Sequence, residues 1–304
     1  MKSITVLMST YNGEKYLREQ IDSLLGQRKV DLKILVRDDG SCDNTLSILH
    51  EYEKKYDHFI FYKGENLGPA YSFFDLLSKA EKTDYYAFCD QDDIWDNDKL
   101  ITAIKKLEML DSEVPNLYYS NLRIVDEHMN FYRLSHDKPL YNDNKYSALT
   151  EGLCTGCTAV FNNTAKEIIA ENIPKFCTMH DTWLYMTCKI LGNTIYDEEP
   201  HISYRQHDGN VVGTYLKKNI TKALEERIIR AFRRDYQPRY MNSKSFYQCY
   251  EQCLNELDKK KILKVLNYKK SFKQRLSLIF DKDIKPTKKN DRIRFIFHII
   301  WGTV

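Results

Sequence analysis

The residues best placed for chemistry are three carboxylates within four positions. Asp90, Asp92 and Asp93 stand in the segment FCDQDDIW, directly after a short apolar run. Carboxylates this close repel one another and raise each other's pKa unless a positive charge lies between them. A divalent cation supplies that charge, and Asp90 and Asp92 can converge on one Mg²⁺ or Mn²⁺ ion. The alternative is a solvated acidic turn that caps a helix predicted to start near Asn97.

A second acidic segment, VRDDGSCDNT, follows another apolar run and contains Asp38 and Asp39. A carboxylate there can accept the N3–H of uracil or thymine, a donor that cytosine lacks, so one acid would select the pyrimidine. The alternative is a strand-to-helix turn in which Gly40 takes a positive φ and Asp43 caps the next helix. The two interpretations are compatible.

The elements that must position these acids follow from hydrophobic periodicity. Apolar runs alternate with helical segments through the first 120 residues, which predicts an α/β fold with a mostly parallel sheet. The strands are predicted at Ile4–Met8, Leu32–Arg37, Phe59–Tyr62, Tyr85–Cys89 and Leu117–Ser120. The intervening helices are predicted near Lys15–Leu25, Asn44–Tyr56, Ala70–Ala80 and Lys99–Leu110. Ligands bind at the carboxyl ends of such strands, where both acidic segments fall.

The loop after the first strand and the middle of the chain fit the same α/β prediction. The first predicted strand ends in Thr10, Tyr11 and Asn12, whose backbone and ring could flank a base, although Asn-Gly alone signals only a turn. The middle of the chain is predicted to hold helices near Ala165–Asn172 and Thr182–Leu191 and short strands near Ile195 and Ile202–Gln206.

Four segments in this order and spacing resemble glycosyltransferase family 2, especially its bacterial rhamnosyltransferases: MSTYNGEKYLREQIDSLL, VRDDGSCDNT, NLGPAYSF and CDQDDIW. The resemblance covers about residues 1–215. It implies a GT-A fold, a nucleotide diphosphate-sugar donor, a divalent metal at the D-x-D motif and inversion at the anomeric carbon. Thymidine-linked rhamnose fits the subgroup, and uridine-linked sugars fit the predicted pocket equally well. The expected product is a capsule, O-antigen or cell-wall glycan built on a lipid-linked acceptor.

The resemblance also assigns roles to single residues. Asp39, with Asp38, would bind the base, Asp90 would contact the ribose or the metal, and Asp92 would ligate the metal. The predicted nucleotide-sugar-binding residues are Thr10, Tyr11, Asn12, Asp38, Asp39, Asn66, Asp90, Gln91 and Arg205.

The segment MHDTWL, residues 179–184, resembles the acidic pair before a helix in which the family's second acid is the general base. Asp181 is therefore the predicted catalytic base. His180 stands where the family has Glu and is expected to be no more than an orienting neighbour. The alternative for Asp181 is simple N-capping of the following helix.

The segment YRQHDGNVVG, residues 204–213, resembles the part of these enzymes that closes over the diphosphate. His207 is predicted to be a third metal ligand or a phosphate donor, and Arg205 to neutralise phosphate charge. Gly152–Thr158 resembles the loop beneath the acceptor, where small residues let the backbone approach a sugar.

Charge divides the chain into two parts. Before Lys217 there are 23 Lys and Arg against 34 Asp and Glu, a net charge of −11, and from Lys217 onward 23 against 9, a net charge of +14. We therefore predict a GT-A catalytic domain at 1–215 and a basic helical region at 216–304, divided by Pro238 and Pro286. In the basic region, aromatic residues interleave with Arg and Lys at Phe232, Tyr236, Tyr240, Phe246, Tyr247 and Tyr250.

The basic region is predicted to dock on an anionic membrane surface, and Arg292–Trp301 has the composition of an interfacial helix. No nucleic-acid motif accompanies the charge, so nucleic acid is not expected as a partner. The alternatives are an ordinary helical bundle or a homo-oligomer contact.

The expected cellular compartment rests on the lengths of two apolar runs and on the arrangement of the cysteines. The apolar runs Ile4–Met8 and Phe295–Trp301 are too short for a signal peptide or a membrane span, respectively. Eight scattered cysteines suggest reduced thiols, with a zinc site at Cys154 and Cys157 as a minor alternative. The expected location is cytoplasmic, peripheral on the inner face of the cell membrane.

Two other functions compete with this prediction. A nucleotidyltransferase would also use paired acids and a metal, but it needs a Gly-rich basic triphosphate loop after the first strand, and Thr10–Glu14 is neither. A catalytically silent subunit that binds a nucleotide-sugar or a membrane partner is the other. It is disfavoured because Asp39, Asp90, Asp92 and Asp181 are all retained.

Overall fold

The computed structural model describes residues 1–207 and 237–304. The strands are β1 Ser3–Thr10, β2 Asp31–Asp38, β3 Phe59–Lys63, β4 Tyr85–Cys89, β5 Ile94–Trp95, β6 Asn116–Ser120, β7 Arg123–Val125, β8 Phe131–Leu134, β9 Val160–Asn162, β10 Asn193–Asp197 and β11 Ile202–Arg205. The helices are α1 Leu17–Leu25, α2 Thr45–Lys55, α3 Gly68–Lys79, α4 Lys99–Leu107, α5 Asn163–Ala170, α6 His180–Leu191, α7 Pro238–Tyr250, α8 Glu256–Asn267, α9 Phe272–Ile279 and α10 Lys289–Trp301.

A seven-stranded sheet in the order β10-β6-β9-β4-β1-β2-β3 forms the centre of the fold. All its pairs are parallel except those of β9, which runs antiparallel to both β4 and β6. The α/β prediction with a mostly parallel sheet is therefore confirmed. A smaller sheet in the order β5-β11-β7-β8 stands beside it.

The register of the central strands brings their carboxyl ends together. Thr10 at the end of β1 pairs with Asp38 at the end of β2, and Met8 of β1 pairs with Cys89 at the end of β4. The loops that follow these three strands therefore leave the sheet side by side, which is where the acidic segments lie.

The sheet is covered on both faces, and β1 shows why. Its side chains alternate, so Val6 and Met8 enter one apolar cluster with α1, α2 and α4, while Leu7 enters the other with α3, α5 and α6. A strand buried on both faces is mostly apolar, as the centre of β1 and the whole of β4 are.

The C-terminal helices continue one of these two cores. The ring of Trp183 in α6 lies 5.8 Å from that of Phe246 and 6.0 Å from that of Tyr250, both in α7. A buried ion pair of 2.8 Å between Lys145 and Asp258 joins α8 to the same body. The change in net charge along the sequence is thus not accompanied by a separate core among the described residues.

Some residues named in the sequence predictions lie outside the ranges that the structure describes. Asp208–Gly213, Lys217, Phe232 and Tyr236 lie outside the described residues. Cys154 and Cys157 are buried and form no disulfide with each other. Every helix in the described ranges is too short or too polar to span a lipid bilayer.

Candidate active site

A cavity of about 390 Å³ opens at the carboxyl ends of β1, β2 and β4. The predicted site residues in its wall are Tyr11, Asp39, Asn66, Asp90, Gln91, Asp92 and Asp181. A larger and more open groove, of about 590 Å³, lies among the C-terminal helices and is lined mainly by lysines and amides. Of these two, the strand-end cavity is the one that combines carboxylates from separate loops, so it is the candidate active site.

Asp39 is fixed in the wall of this cavity by neighbouring backbone and by an ion pair. One carboxylate oxygen accepts the N–H of Leu67 and the other accepts the N–H of Gly68, each at 3.0 Å. The first oxygen also pairs with the Arg37 guanidinium, which is held by Asp75 at 2.9 Å. Each carboxylate oxygen has more than one acceptor position, so Asp39 can still receive the N–H of a base.

Three other predicted nucleotide-binding residues build the loops instead of lining the cavity. Asp38 is fully buried and accepts hydrogen bonds from Gly40 N, Ser41 N and Thr10 Oγ1, at 3.1, 2.9 and 3.3 Å. Asn12 accepts the N–H of Cys42 at 2.9 Å. Thr10, Asn12 and Asp38 therefore hold the loops after β1 and β2 together, and the structure does not place them against a bound nucleotide.

Gln91 clamps the loop that carries Tyr11. Its side-chain oxygen accepts the N–H of Tyr11 at 2.8 Å and its amide nitrogen donates to the Tyr11 carbonyl at 3.1 Å. A Cβ at Gly13 would collide with this amide, which explains the glycine. The Tyr11 ring remains half exposed at the cavity edge, where a base can stack on it.

The acidic loop after β4 concentrates negative charge that its own neighbours do not cancel. Burial and the nearby carboxylates of Asp92 and Asp181 raise the pKa of Asp90 to about 7. Burial, followed by the charges of Asp92 and Asp90, holds the pKa of Asp93 well above its usual range. These directions are what three close carboxylates produce when no cation lies among them.

The residues present fit a divalent cation. His207 Nε2 lies 2.7 Å from Asp92 Oδ2, so the predicted third ligand is at the predicted site. Two hard carboxylates and an imidazole suit Mn²⁺ or Mg²⁺ with further oxygen ligands from a substrate. Asp90, Asp93 and Cys157 form a cluster whose ligand atoms lie within 4.8 Å of one another, but burial raises the pKa of the Cys157 thiol well above its ordinary value, and a protonated thiol is a poor ligand. Asp92 and His207 stay with Asp90 as the candidate ligands because of the 2.7 Å contact between them and their place in the predicted motifs.

Arg205 lies behind the acidic loop and not in the cavity, so the structure does not place it against a phosphate. Its buried guanidinium donates to the carbonyls of Asp92 and Glu127 at 2.9 and 3.0 Å and pairs with Glu19 at 2.5 Å. Among the described residues, no Lys or Arg lines the cavity. A cation held by Asp90 and Asp92 is therefore the charge partner that this part of the chain can offer a diphosphate.

Asp181 projects into the cavity from the first turn of α6. Its oxygens accept the N–H of Thr182 at 2.6 Å and the N–H of Gly156 at 3.0 Å. Burial raises its pKa, although these hydrogen bonds oppose the change. Met179 and not Asp181 occupies the N-cap position, although Asp181 satisfies the first-turn N–H of Thr182. An oriented carboxylate with a raised pKa is a competent proton acceptor.

His180, which the sequence left in doubt, lies in the cavity wall between two aromatic rings. It stacks on Phe73 at a centroid distance of 3.8 Å and meets the edge of Phe88 at 4.8 Å. Neither ring nitrogen has a hydrogen-bond partner, and burial lowers its pKa to about 3. The imidazole is thus neutral and adds no negative charge beside Asp181.

Lys99 is a residue that sequence reasoning missed. It is fully buried in the first turn of α4, with Nζ 3.3 Å from the centre of the Trp95 ring. Burial lowers its pKa to about 8, while the charge of Asp93 favours the protonated form. The available signal was its spacing, because Lys99 shares a helix face with the apolar residues Ala103 and Leu107.

Comparison with known proteins agrees with this geometry. The family described as Glycosyl transferase family 2 matches residues 5–168. The chain is 33% identical over 224 residues to dTDP-rhamnosyl transferase RfbG of Shigella flexneri, covering 69% of this chain and 74% of that protein.

Solved structures support the same architecture. TarS 1–349 of S. aureus in complex with UDP-GlcNAc is similar with a TM-score of 0.55 and 14% identity, covering 98% of this chain and 90% of that one. Mannosyltransferase PcManGT of Pyrobaculum calidifontis, in complex with GDP-Man and Mn²⁺, gives a TM-score of 0.50 and 15% identity over 98% and 85%. At these identities the likeness concerns the fold alone, and it confirms the predicted GT-A class.

Proposed function

Because this chain belongs to glycosyltransferase family 2 and is a glycosyltransferase, we propose that it transfers one hexosyl group, with inversion and with a divalent metal, from a dTDP- or UDP-linked donor. The observation that carries the proposal is a single cavity whose wall brings together Asp39, the pair Asp90 and Asp92, and Asp181. We propose base binding for Asp39, metal binding for the pair, and proton acceptance for Asp181.

We propose a uridine or thymidine nucleotide as the donor because of the position of the Asp39 carboxylate. Its carboxylate is oriented by two backbone N–H groups and would accept the N3–H of uracil or thymine, while the Tyr11 ring would stack on the base. The name of the Shigella relative supports dTDP-rhamnose as the first donor to test. The TarS complex supports including UDP-linked sugars in the panel.

The reaction is proposed as a single in-line displacement. The acceptor hydroxyl would give its proton to Asp181 as its oxygen bonds to the anomeric carbon, and the bond from that carbon to the diphosphate would break. The N–H groups of Thr182 and Gly156 hold the Asp181 carboxylate in position for this transfer. When bound, Mg²⁺ or Mn²⁺ would stabilise the negative charge of the departing diphosphate.

The acceptor is proposed to be a lipid-linked saccharide in the synthesis of a capsule, O-antigen or cell-wall polysaccharide. Such an acceptor presents its sugar at a membrane surface, so we place the enzyme at the inner face of the cell membrane, as a peripheral protein. The basic composition of residues 237–304, with 16 Lys and Arg against 6 Asp and Glu, supports this location.

The test is nucleotide release from dTDP- and UDP-linked sugars in the presence of Mg²⁺ or Mn²⁺. Asp181→Ala is expected to lower release by about 10² to 10⁴-fold, the range for losing a catalytic acid or base, and Asp92→Ala to remove the stimulation of release by the metal. Asp57→Ala, which removes an exposed carboxylate just before the amino end of β3 and so at the opposite end of that strand from the cavity loops, is the matched control. Metal-dependent donor binding without turnover, even with a lipid-linked acceptor, would favour the catalytically silent subunit instead.

A further inference from the structure

The last helix, α10, carries large apolar side chains on its outer face. Ile293, Ile296, Phe297, Ile300 and Trp301 are each between 37 and 60% exposed. Their spacing of three, four, seven and eight positions from Ile293 puts them on one side of a helix. We call these five residues the outer stripe. A contiguous apolar stripe of this kind, unlike scattered exposed residues, indicates a surface that is covered in use.

The outer stripe is not a core face left unpacked. The opposite side of α10 already supplies Phe295 and Ile299 to the protein core, where both are buried. Helix α10 is therefore apolar on two faces, and within the described ranges the face that carries Phe295 and Ile299 is the one that enters the core. Within the outer stripe, the rings of Phe297 and Trp301 stack at 5.1 Å, which presents a flat aromatic surface.

The neighbouring helix α9 extends the apolar surface. Phe272 and Phe280 are each 76% exposed, and Leu276 between them is also exposed. They follow one another at four-residue intervals and so share a face. Arg275 of α9 donates to the carbonyl of Ile300 at 3.0 Å, which fastens the two helices together beside the outer stripe.

Positive charge surrounds this apolar surface. From Lys269 to the end of the chain there are ten Lys and Arg against three Asp. Lys289, Arg292 and Arg294 lie on α10 itself and are exposed. Exposed apolar and aromatic side chains flanked by cations are the chemistry of a helix that lies in the interface of an anionic bilayer.

We propose that the outer stripe, with Phe272, Leu276 and Phe280, is a docking surface for anionic lipid. The proposal rests on the proposed function for its location at the inner leaflet. Helix α10 has 13 residues and is about 20 Å long, shorter than the roughly 30 Å hydrocarbon core, so it would lie along the interface. A symmetric pairing of two copies through this surface would set the cations of α10 against one another, which disfavours self-association as the use of the surface.

The experiment is flotation of the full chain with phosphatidylcholine vesicles, with and without phosphatidylglycerol, at low and high salt. The wild type should float with the anionic vesicles and lose most of this binding in high salt. Phe297→Ser/Trp301→Ser should reduce the bound fraction more than tenfold. Arg292→Gln/Arg294→Gln should reduce binding at low salt and flatten its salt dependence.

Matched controls separate docking from folding and from catalysis. Ile60→Ser removes an equally exposed apolar residue at the opposite edge of the sheet and should leave flotation unchanged. All variants should keep the wild-type melting temperature and, in the absence of vesicles, the wild-type release of nucleotide from donor. Loss of release with flotation intact would count against the proposed function and not against docking.

Three results would overturn the proposal. They are a wild type that does not float with anionic vesicles, a stripe variant that floats like the wild type, and a dimer in solution that Phe297→Ser/Trp301→Ser dissociates while vesicle binding is absent. The last would assign the outer stripe to contact between copies of the chain.

Discussion

Buried carboxylates occur in two regions of this protein, and their neighbours differ. In the strand-end cavity, burial and neighbouring acids raise the pKa values of Asp90, Asp93 and Asp181. In the C-terminal helices, Asp281 is also largely shielded from solvent, but hydrogen bonds from Lys264 and Lys261 outweigh the effect of burial and lower its pKa. The same residue type is compensated where it stabilises the fold and left uncompensated where a cation and a substrate proton would complete it.

The most severe test of this difference between the two regions is to remove the proposed proton acceptor. Asp181→Asn keeps the shape of the side chain and its place in α6 but cannot take a proton from an acceptor hydroxyl. We expect kcat to fall by about 10² to 10⁴-fold with donor binding retained, since base catalysis typically contributes this factor. Steady-state kinetics with a saturating donor measures it. Activity within a few-fold of the wild type would remove Asp181 from the mechanism.

The corresponding substitution in the C-terminal helices should lower the stability of the protein and leave its activity unchanged. Asp281→Asn leaves Lys261 and Lys264 without their buried partner, so the free energy of unfolding should fall by about 3 kcal/mol at neutral pH. Because the folded-state pKa of Asp281 is lowered, its contribution is present above its unfolded pKa and is lost as the pH falls. The difference between variant and wild type in chemical denaturation should therefore shrink in acid.

A matched control lies two residues away. Asp283 also contacts Lys261, at 2.6 Å, but its side chain is half exposed. Asp283→Asn should cost less than about 1 kcal/mol, as exposed ion pairs usually do. Equal losses for Asp281→Asn and Asp283→Asn would show that burial does not set the strength of these pairs.

Removing an acid from the cavity should raise the free energy of unfolding instead of lowering it. The pKa of Asp90 is raised to about 7, so its ionisation destabilises the metal-free fold as the pH rises from about 4 towards 7. Asp90→Asn should therefore stabilise the metal-free protein at neutral pH, by about 2 kcal/mol after allowance for shared charge in the cluster. Adding Mn²⁺ should stabilise the wild type more than the variant. A destabilised metal-free variant would contradict the comparison.

The smallest expected effect concerns His180. Its neutral imidazole is packed between Phe73 and Phe88 beside Asp181. His180→Glu would introduce a second acid there, so we expect the acid limb of the pH–rate profile to move to higher pH by about one unit. His180→Gln is the uncharged control and should leave that limb in place. Identical profiles for the two variants would show that charge at this position does not influence the base.

The parts of the fold that the sequence predicted well are those with enough residues to show a period. Strands β1, β2 and β4 each contain a run of at least three apolar residues, and their ends located the cavity. Strands β7, β8 and β9 have only three or four residues, too few for alternation to be recognised, and were not predicted. Strands β7 and β9 also pair with strands distant in the chain, β11 and β6 respectively.

The site shows the same division between local and tertiary information. Asp39, Asp90 and Asp92 lie at strand ends, so their meeting follows from parallel pairing alone. Arg205 belongs to the same motif as His207, yet its side chain turns behind the acidic loop to meet Glu19. Lys99 was missed for a similar reason, since its burial depends on Trp95 and Asp93, which periodicity does not identify.

The most direct test of the central claim is calorimetric titration of UDP and dTDP with and without Mn²⁺ at neutral pH. If the uncompensated acids await a cation and a diphosphate, Mn²⁺ should tighten binding of at least one nucleotide by tenfold or more, and Asp92→Ala should abolish this gain. Equal affinity in Mn²⁺ and in chelator, for both nucleotides, would contradict the claim that these carboxylates form a metal-dependent donor site.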